Sequence, residues 1–195
     1  MKAIMISVKP KYVADILNGR KTIEIRKTCP ARFKNLKPYE CANPIDVYIY
    51  CTKDNVETLF KSREQLGKEY YDYVCLSKKG KDYNLFLNDI NLNGKVVAKF
   101  TLNKVEEIET RQDRYKEFVF YEILFDVSDL LKKSCLDYYE LDNYLCGEKG
   151  YAWYISNLEI FDEPQELEKY MHIKNYFLGR TYVPQSWCYI EVDYE

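Results

Sequence analysis

Asn18-Gly19-Arg20-Lys21-Thr22-Ile23-Glu24-Ile25-Arg26-Lys27 is the stretch on which the reading of the fold turns. Asn18-Gly19 is a helix stop, because glycine readily takes the left-handed conformation that follows a last helical turn. Beyond it Thr22, Glu24 and Arg26 alternate with Ile23 and Ile25. That period of two gives one strand a polar face and an apolar face. Working back, Tyr12, Val13, Ile16 and Leu17 recur at helical spacing after Lys9-Pro10. Proline suits a first helical turn, where its missing N–H would have had no partner. Ala3-Ile4-Met5-Ile6-Ser7-Val8 reads as a short buried strand. The first 27 residues predict strand, helix, turn, strand.

Working forward, a loop of Lys, Pro and Cys over 27–44 leads to a strand at Ile45-Asp46-Val47-Tyr48-Ile49-Tyr50-Cys51. Residues 52–92 are polar, rich in Lys and Tyr and weakly periodic, the pattern of an insertion with one or two short helices. Asn93-Gly94 then turns into a strong strand over 95–102. Residues 116–125 fit strand or helix, and Ser128 to Leu131 with Ser134 to Leu145 predict two short helices with Ser caps, at about 128–146. A strand over 150–161, a turn at Asp162-Glu163-Pro164, a short helix over 165–170 and a terminal strand over 183–192 complete the chain. Five or six strands with few helices predict an α+β fold, a small mixed β-barrel with peripheral helices. Residues 1–195 are expected to form a single domain.

Composition bounds the function. With 195 residues, 47% hydrophobic and 31% charged, 7 Gly and 6 Pro, the chain can bury a core. No run of apolar residues is long enough for a transmembrane helix or a signal peptide, so a cytoplasmic protein without membrane contact is expected. Seven Cys without a CxxC pair read as reduced thiols. The one histidine, His172, has no flanking signature, which argues against a Ser-His-Asp triad and a zinc site. Neither metal nor cofactor is expected. Twenty Tyr suit the half-wet walls of a cleft and stacking on flat ligands. They equally suit a chain that uses Tyr in place of Phe and His.

The total charge is -2, but residues 1–40 hold ten Lys or Arg against three acids, a net of +7, which leaves -9 for the other 155 residues. Such a cluster attracts phosphates into one groove, or forms a solvated helix face. Within it, Lys21, Thr22, Glu24 and Arg26 bring cations, a hydroxyl and a carboxylate together. They offer donors for a phosphate or base edge and an acceptor for an exocyclic amine. The plainer alternative is a surface salt-bridge ladder around Glu24. Trp153 and Trp187 are each either core or a stacking wall, and Ser156-Asn157 and Gln185-Ser186 either contact a base or cap turns.

Ser7-Val8-Lys9-Pro10-Lys11-Tyr12 followed by Ile16-Leu17-Asn18-Gly19-Arg20-Lys21-Thr22-Ile23-Glu24-Ile25-Arg26-Lys27 resembles the opening of ASCH domains of the PUA-like superfamily, with their Gly-x-Lys-Thr-x-Glu-x-Arg element. Gly150-Tyr151-Ala152-Trp153, Ile155-Ser156-Asn157-Leu158 and Pro184-Gln185-Ser186-Trp187-Cys188-Tyr189 resemble late strands of the larger ASCH proteins of phages and Gram-positive bacteria. The resemblance implies a PUA-like pseudo-barrel with a cleft beside the first helix that binds RNA, single-stranded nucleic acid or a modified nucleobase. On this reading Lys9, Lys21, Arg26 and Lys27 are expected to contact phosphate, Thr22 and Glu24 to face the base, and Tyr12, Trp153 and Ser156 to belong to the same interface. The alternative is a hydrolase using that cleft, a ribonuclease or a nucleoside amidohydrolase, with Lys21, Thr22 and Glu24 as the catalytic set. The similar amidohydrolases carry a threonine nucleophile where this chain has Glu24. A protein partner is a third class, served by the acidic body and the Tyr-rich insertion.

Overall fold

The structure, a computed structural model, describes residues 2–34, 43–61, 73–77, 90–112, 119–122, 127–170 and 183–192. His172, Cys41 and residues 62–72 and 78–89 of the 52–92 span lie outside the described residues. Contacts divide the chain into two compact units. The first comprises Met1–Gly19, Ile45–Phe100 and Leu158–Glu195, and the second Arg20–Pro44 and Thr101–Asn157.

In the first unit, β1 (Lys2–Val8) pairs in parallel with β3 (Ile45–Cys51) and antiparallel with the terminal strand β12 (Trp187–Glu191). With β7 (Lys95–Leu102) and β11 (Ser156–Glu166) they form a five-stranded sheet in the order β11-β7-β3-β1-β12. One face carries a core of Ala3, Met5, Tyr48, Tyr50, Val96 and Ile190, joined by Leu167 and Tyr170 from a short 3-10 turn. Tyr48 and Tyr170 meet with ring centroids 4.8 Å apart, so part of the tyrosine surplus is core. Helix α1 (Pro10–Leu17) opens with Pro10 at its first position and closes before Gly19 at φ +73. It packs on β3 and on β4 (Glu57–Lys61) and β5 (Tyr73–Ser77), which with β6 (Ile90–Asn91) form a three-stranded sheet. The described residues of the 52–92 span include these three strands, and the expectation of one or two short helices in the rest of the span falls outside the described residues.

In the second unit, β2 (Ile23–Arg26), β10 (Gly150–Tyr154), β8 (Val105–Gln112) and β9 (Val119–Glu122) form a sheet in the order β2-β10-β8-β9. Helices α2 (Val127–Ser134) and α3 (Tyr138–Leu145) supply Leu130, Leu141 and Leu145, which pack with Ile23, Ile25, Ile108 and Ala152 of the sheet. The cap of α3 is Asp137 rather than a serine. Its Oδ1 accepts the Glu140 N–H at 2.7 Å and Glu140 Oε2 accepts the Asp137 N–H at 3.0 Å, a reciprocal capping box. Gly150 lies against this helix, and a Cβ there would stand 2.7 Å from Leu145 Cδ2.

Among the described residues the expected β-barrel is not formed: the sheets are open, with β11 and β12, β2 and β9, and β5 and β6 as edges. Closure needs edge strands to exchange hydrogen bonds. The turn expected at 162–164 is also absent, because β11 runs through Pro164 to Glu166. β11 is an edge strand, and an edge strand tolerates a proline because one of its sides needs no ladder donor. The strand expected over 150–161 divides at Ile155, whose N–H goes to the Thr22 carbonyl at 3.0 Å, and Asn157 beyond it takes φ +49. No helix among the described residues is long and apolar enough to cross a membrane.

Candidate functional site

Pairing of β2 with β10 sets Glu24 opposite Trp153 and Arg26 opposite Tyr151, while Ile23 and Ile25 lie opposite Tyr154 and Ala152. Ile23, Ile25 and Ala152 go into the core beneath α2 and α3. The alternate residues lie on the opposite face, where Glu24 is 7% and Arg26 6% exposed. The alternation read from the sequence is realised, but over Ile23–Arg26 both of its faces are buried.

The charges on that strand form one chain of contacts. Arg26 Nη2 is 3.0 Å from Glu24 Oε1, and Lys21 Nζ is 3.2 Å from Glu24 Oε2. Lys21, 2% exposed, also donates to the carbonyl of Ser134 at 2.7 Å. The preceding carbonyl, of Lys133, accepts the Thr22 N–H at 2.8 Å. These acceptors end α2, so Lys21 both binds the carboxylate and stands at the negative end of a helix. The set is an ion-pair ladder around Glu24, removed from water rather than lying on the surface.

Tyr144 of α3, which the sequence reading missed, sits beside this ladder. The Lys27 ammonium lies 5.9 Å from its ring centroid. Burial raises its phenol pKa, with Arg26 opposing the rise and Glu24 adding to it, so the ring shares the field of both charges. The helical spacing of Leu141, Tyr144 and Leu145 places it on α3, but its contact with β2 is a tertiary one.

A second buried carboxylate, Glu106 of β8, is 6% exposed. It accepts the Tyr154 hydroxyl at Oε2, and its Oε1 lies 2.9 Å from Lys104 Nζ, which stands 4.3 Å from the Tyr154 ring centroid. Burial first, then the bond to Glu106, raises the Tyr154 pKa above its ordinary 10.0. Tyr170 and Cys75 are each pushed up to about 12, mainly by burial, and Cys51 rises for the same reason. A raised acid keeps its proton in the folded state at a pH where the unfolded chain has lost it. The stabilisation is therefore complete below the unfolded pKa and lost as pH rises. The urea midpoint should hold to about pH 9, where unfolded thiols ionise, then fall more steeply beyond about pH 10 with the tyrosines. A midpoint constant through that range would contradict these burials.

The expected site residues separate by unit and by exposure. Lys9 is exposed and Tyr12 half-buried, both at α1 of the first unit. The other expected residues belong to the second unit. Thr22 and Lys27 are exposed, whereas Trp153 is 0% exposed and reads as core, not as a stacking wall. Ser156 donates its hydroxyl to the Thr101 carbonyl at 2.6 Å, which commits it to the backbone. The amino-terminal positive charge is partly neutralised: Lys21 and Arg26 meet Glu24, and Lys27 reaches Glu148 at 3.5 Å. Among the described residues no group of three or more His, Cys, Asp or Glu gathers as a metal site.

No family model and no curated protein matches the sequence. Among solved structures, the chain is similar to the ASCH protein of Zymomonas mobilis, at 18% identity and TM-score 0.51, over 97% of this chain and 87% of that one. A tyrosine-to-phenylalanine variant of that protein matches at 16% identity and TM-score 0.50, over 98% of this chain and 91% of the other. A serine-to-alanine variant matches at 14% identity and TM-score 0.50, over 97% and 88%. These likenesses show that the chain shares the fold of that ASCH protein.

Proposed function

We propose that this ASCH fold binds RNA or single-stranded nucleic acid, or a modified nucleobase within it, along the strand from Lys21 to Lys27. The observation that carries the reading is the buried ladder of Lys21, Glu24 and Arg26, three charged side chains taken out of water within six residues. Desolvation costs several kcal/mol per ion, and apolar packing of the same volume is often at least as stable. A polar set held at that cost is accounted for by recognition, for which it supplies a fixed carboxylate acceptor between two fixed cations. Exposed Lys27 would meet the phosphate backbone, Thr22 and Glu24 the edge of a base, and Tyr144 its face.

The hydrolase reading uses Lys21, Thr22 and Glu24 of the same strand. Each oxygen of Glu24 already faces a cation, which favours a binding role over that of a free base or nucleophile.

The test is binding of a labelled single-stranded RNA across a salt series, with the products examined in the same tubes. Lys27 carries a 41% exposed side chain, so Lys27→Ala should leave the unfolding midpoint in place. It should also make the salt slope shallower by about one phosphate. Absence of binding at low salt would overturn the reading, and cleavage that disappears in Thr22→Val would replace it with the hydrolase.

A further inference from the structure

We infer that the edge strand β12 carries a base-stacking platform for single-stranded nucleic acid, formed by Trp187 and Tyr189 and flanked by Lys2. The inference rests on the nucleic-acid reading above and adds to it a place in the first unit where bases are held. Trp187 and Tyr189 are two residues apart on one strand and so share a face, opposite Ile6 and Ile4 of β1. Their intervening neighbour Cys188 and the next residue, Ile190, turn the other way into the core of the sheet. Tyr189 is 45% exposed and Trp187 half-buried, and β12 is the last strand of its sheet.

The geometry selects a flat ligand. The two rings stand at 87° with centroids 5.6 Å apart, making a corner in which a planar heteroaromatic can stack on one ring and meet the other at its edge. The Lys2 ammonium lies 5.8 Å from the Tyr189 centroid, positioned to meet a phosphate beside a stacked base. Glu191 faces Lys2 across the strands, so little net charge is left. The platform therefore works by stacking more than by ion pairing. It is also preformed: the Ser7 N–H goes to the Ser186 carbonyl at 3.0 Å, and the Ser7 hydroxyl to the Pro184 carbonyl at 2.6 Å. These two bonds fix the entry of β12 on β1. Exposed Gln185 adds amide groups at the rim.

Only two tryptophans are present and Trp153 is 0% exposed, so quenching of tryptophan fluorescence by a ligand reports on Trp187. Titration of the full chain with oligouridylate should quench that emission. Trp187→Leu and Tyr189→Leu should each weaken binding by roughly tenfold, with the salt slope and the unfolding midpoint unchanged. Binding without quenching, and with Trp187→Leu as tight as the parent, would overturn the platform while leaving the Lys21–Lys27 reading intact. In that event the exposed aromatic face would be assigned to a protein partner. Failure of the parent protein to bind the oligonucleotide at low salt overturns the nucleic-acid reading itself, and the platform with it.

Discussion

Glu24→Ala is expected to cost about 3–5 kcal/mol of stability, the largest effect of any single change on β2. It removes the one carboxylate between Lys21 and Arg26 and leaves both cations buried at 2% and 6% exposure. Against a total stability of roughly 5–15 kcal/mol for folded domains, a loss of that size would bring the midpoint close to ambient conditions. Urea unfolding followed by far-ultraviolet circular dichroism and by fluorescence is the measurement, since coincident transitions license a single free energy. A loss under about 1 kcal/mol would mean that the pairs are screened like surface ion pairs. Replacing all three at once, Lys21→Met with Glu24→Leu and Arg26→Met, separates structure from recognition. Stability should return most of the way, because no charge is left unpaired, yet nucleic-acid binding should not return.

Trp153→Ala is expected to cost about 3–5 kcal/mol, as for other large core aromatics, while Trp153→Phe should cost less. Trp153 lies between Glu24 on β2 and Val105 on β8 in register, with no surface of its own exposed. The expected signature is a lower midpoint with oligonucleotide affinity retained below the new transition. A Trp153→Phe protein of unchanged stability but tenfold weaker binding would restore the indole to the interface.

The elements governed by local rules were legible. The period of two gave β2 and the helical period gave α1, because an alternating strand and an amphipathic helix write their faces directly into spacing, while apolar, strand-favouring runs and turn residues gave β1, β3, β7 and β12. The cap of α3 was legible too and was misread: Asp137-Tyr138-Tyr139-Glu140 is a capping-box pattern, a stronger signal than the serines nearby. Pro164 was read as a turn because proline lacks a donor. Its place on an edge strand, where no donor is required, depends on the order of strands in the sheet. The same dependence on strand order explains the missing barrel, since the number of strands does not say which edges meet.

For the candidate site, the sequence by itself determined which side chains share a face of β2, that a carboxylate stands between two cations there, and that positive charge gathers at the amino terminus. Only the tertiary structure decided that this ladder is buried. The Ser134 carbonyl that receives Lys21 is 113 residues away and the Glu148 carboxylate near Lys27 is 121 away. It also decided that Trp153 is core while Trp187 reaches the surface. Periodicity fixes the direction in which a side chain points from its own backbone, whereas burial and ion pairing depend on which distant segment arrives there, and that is set by the packing of the whole fold.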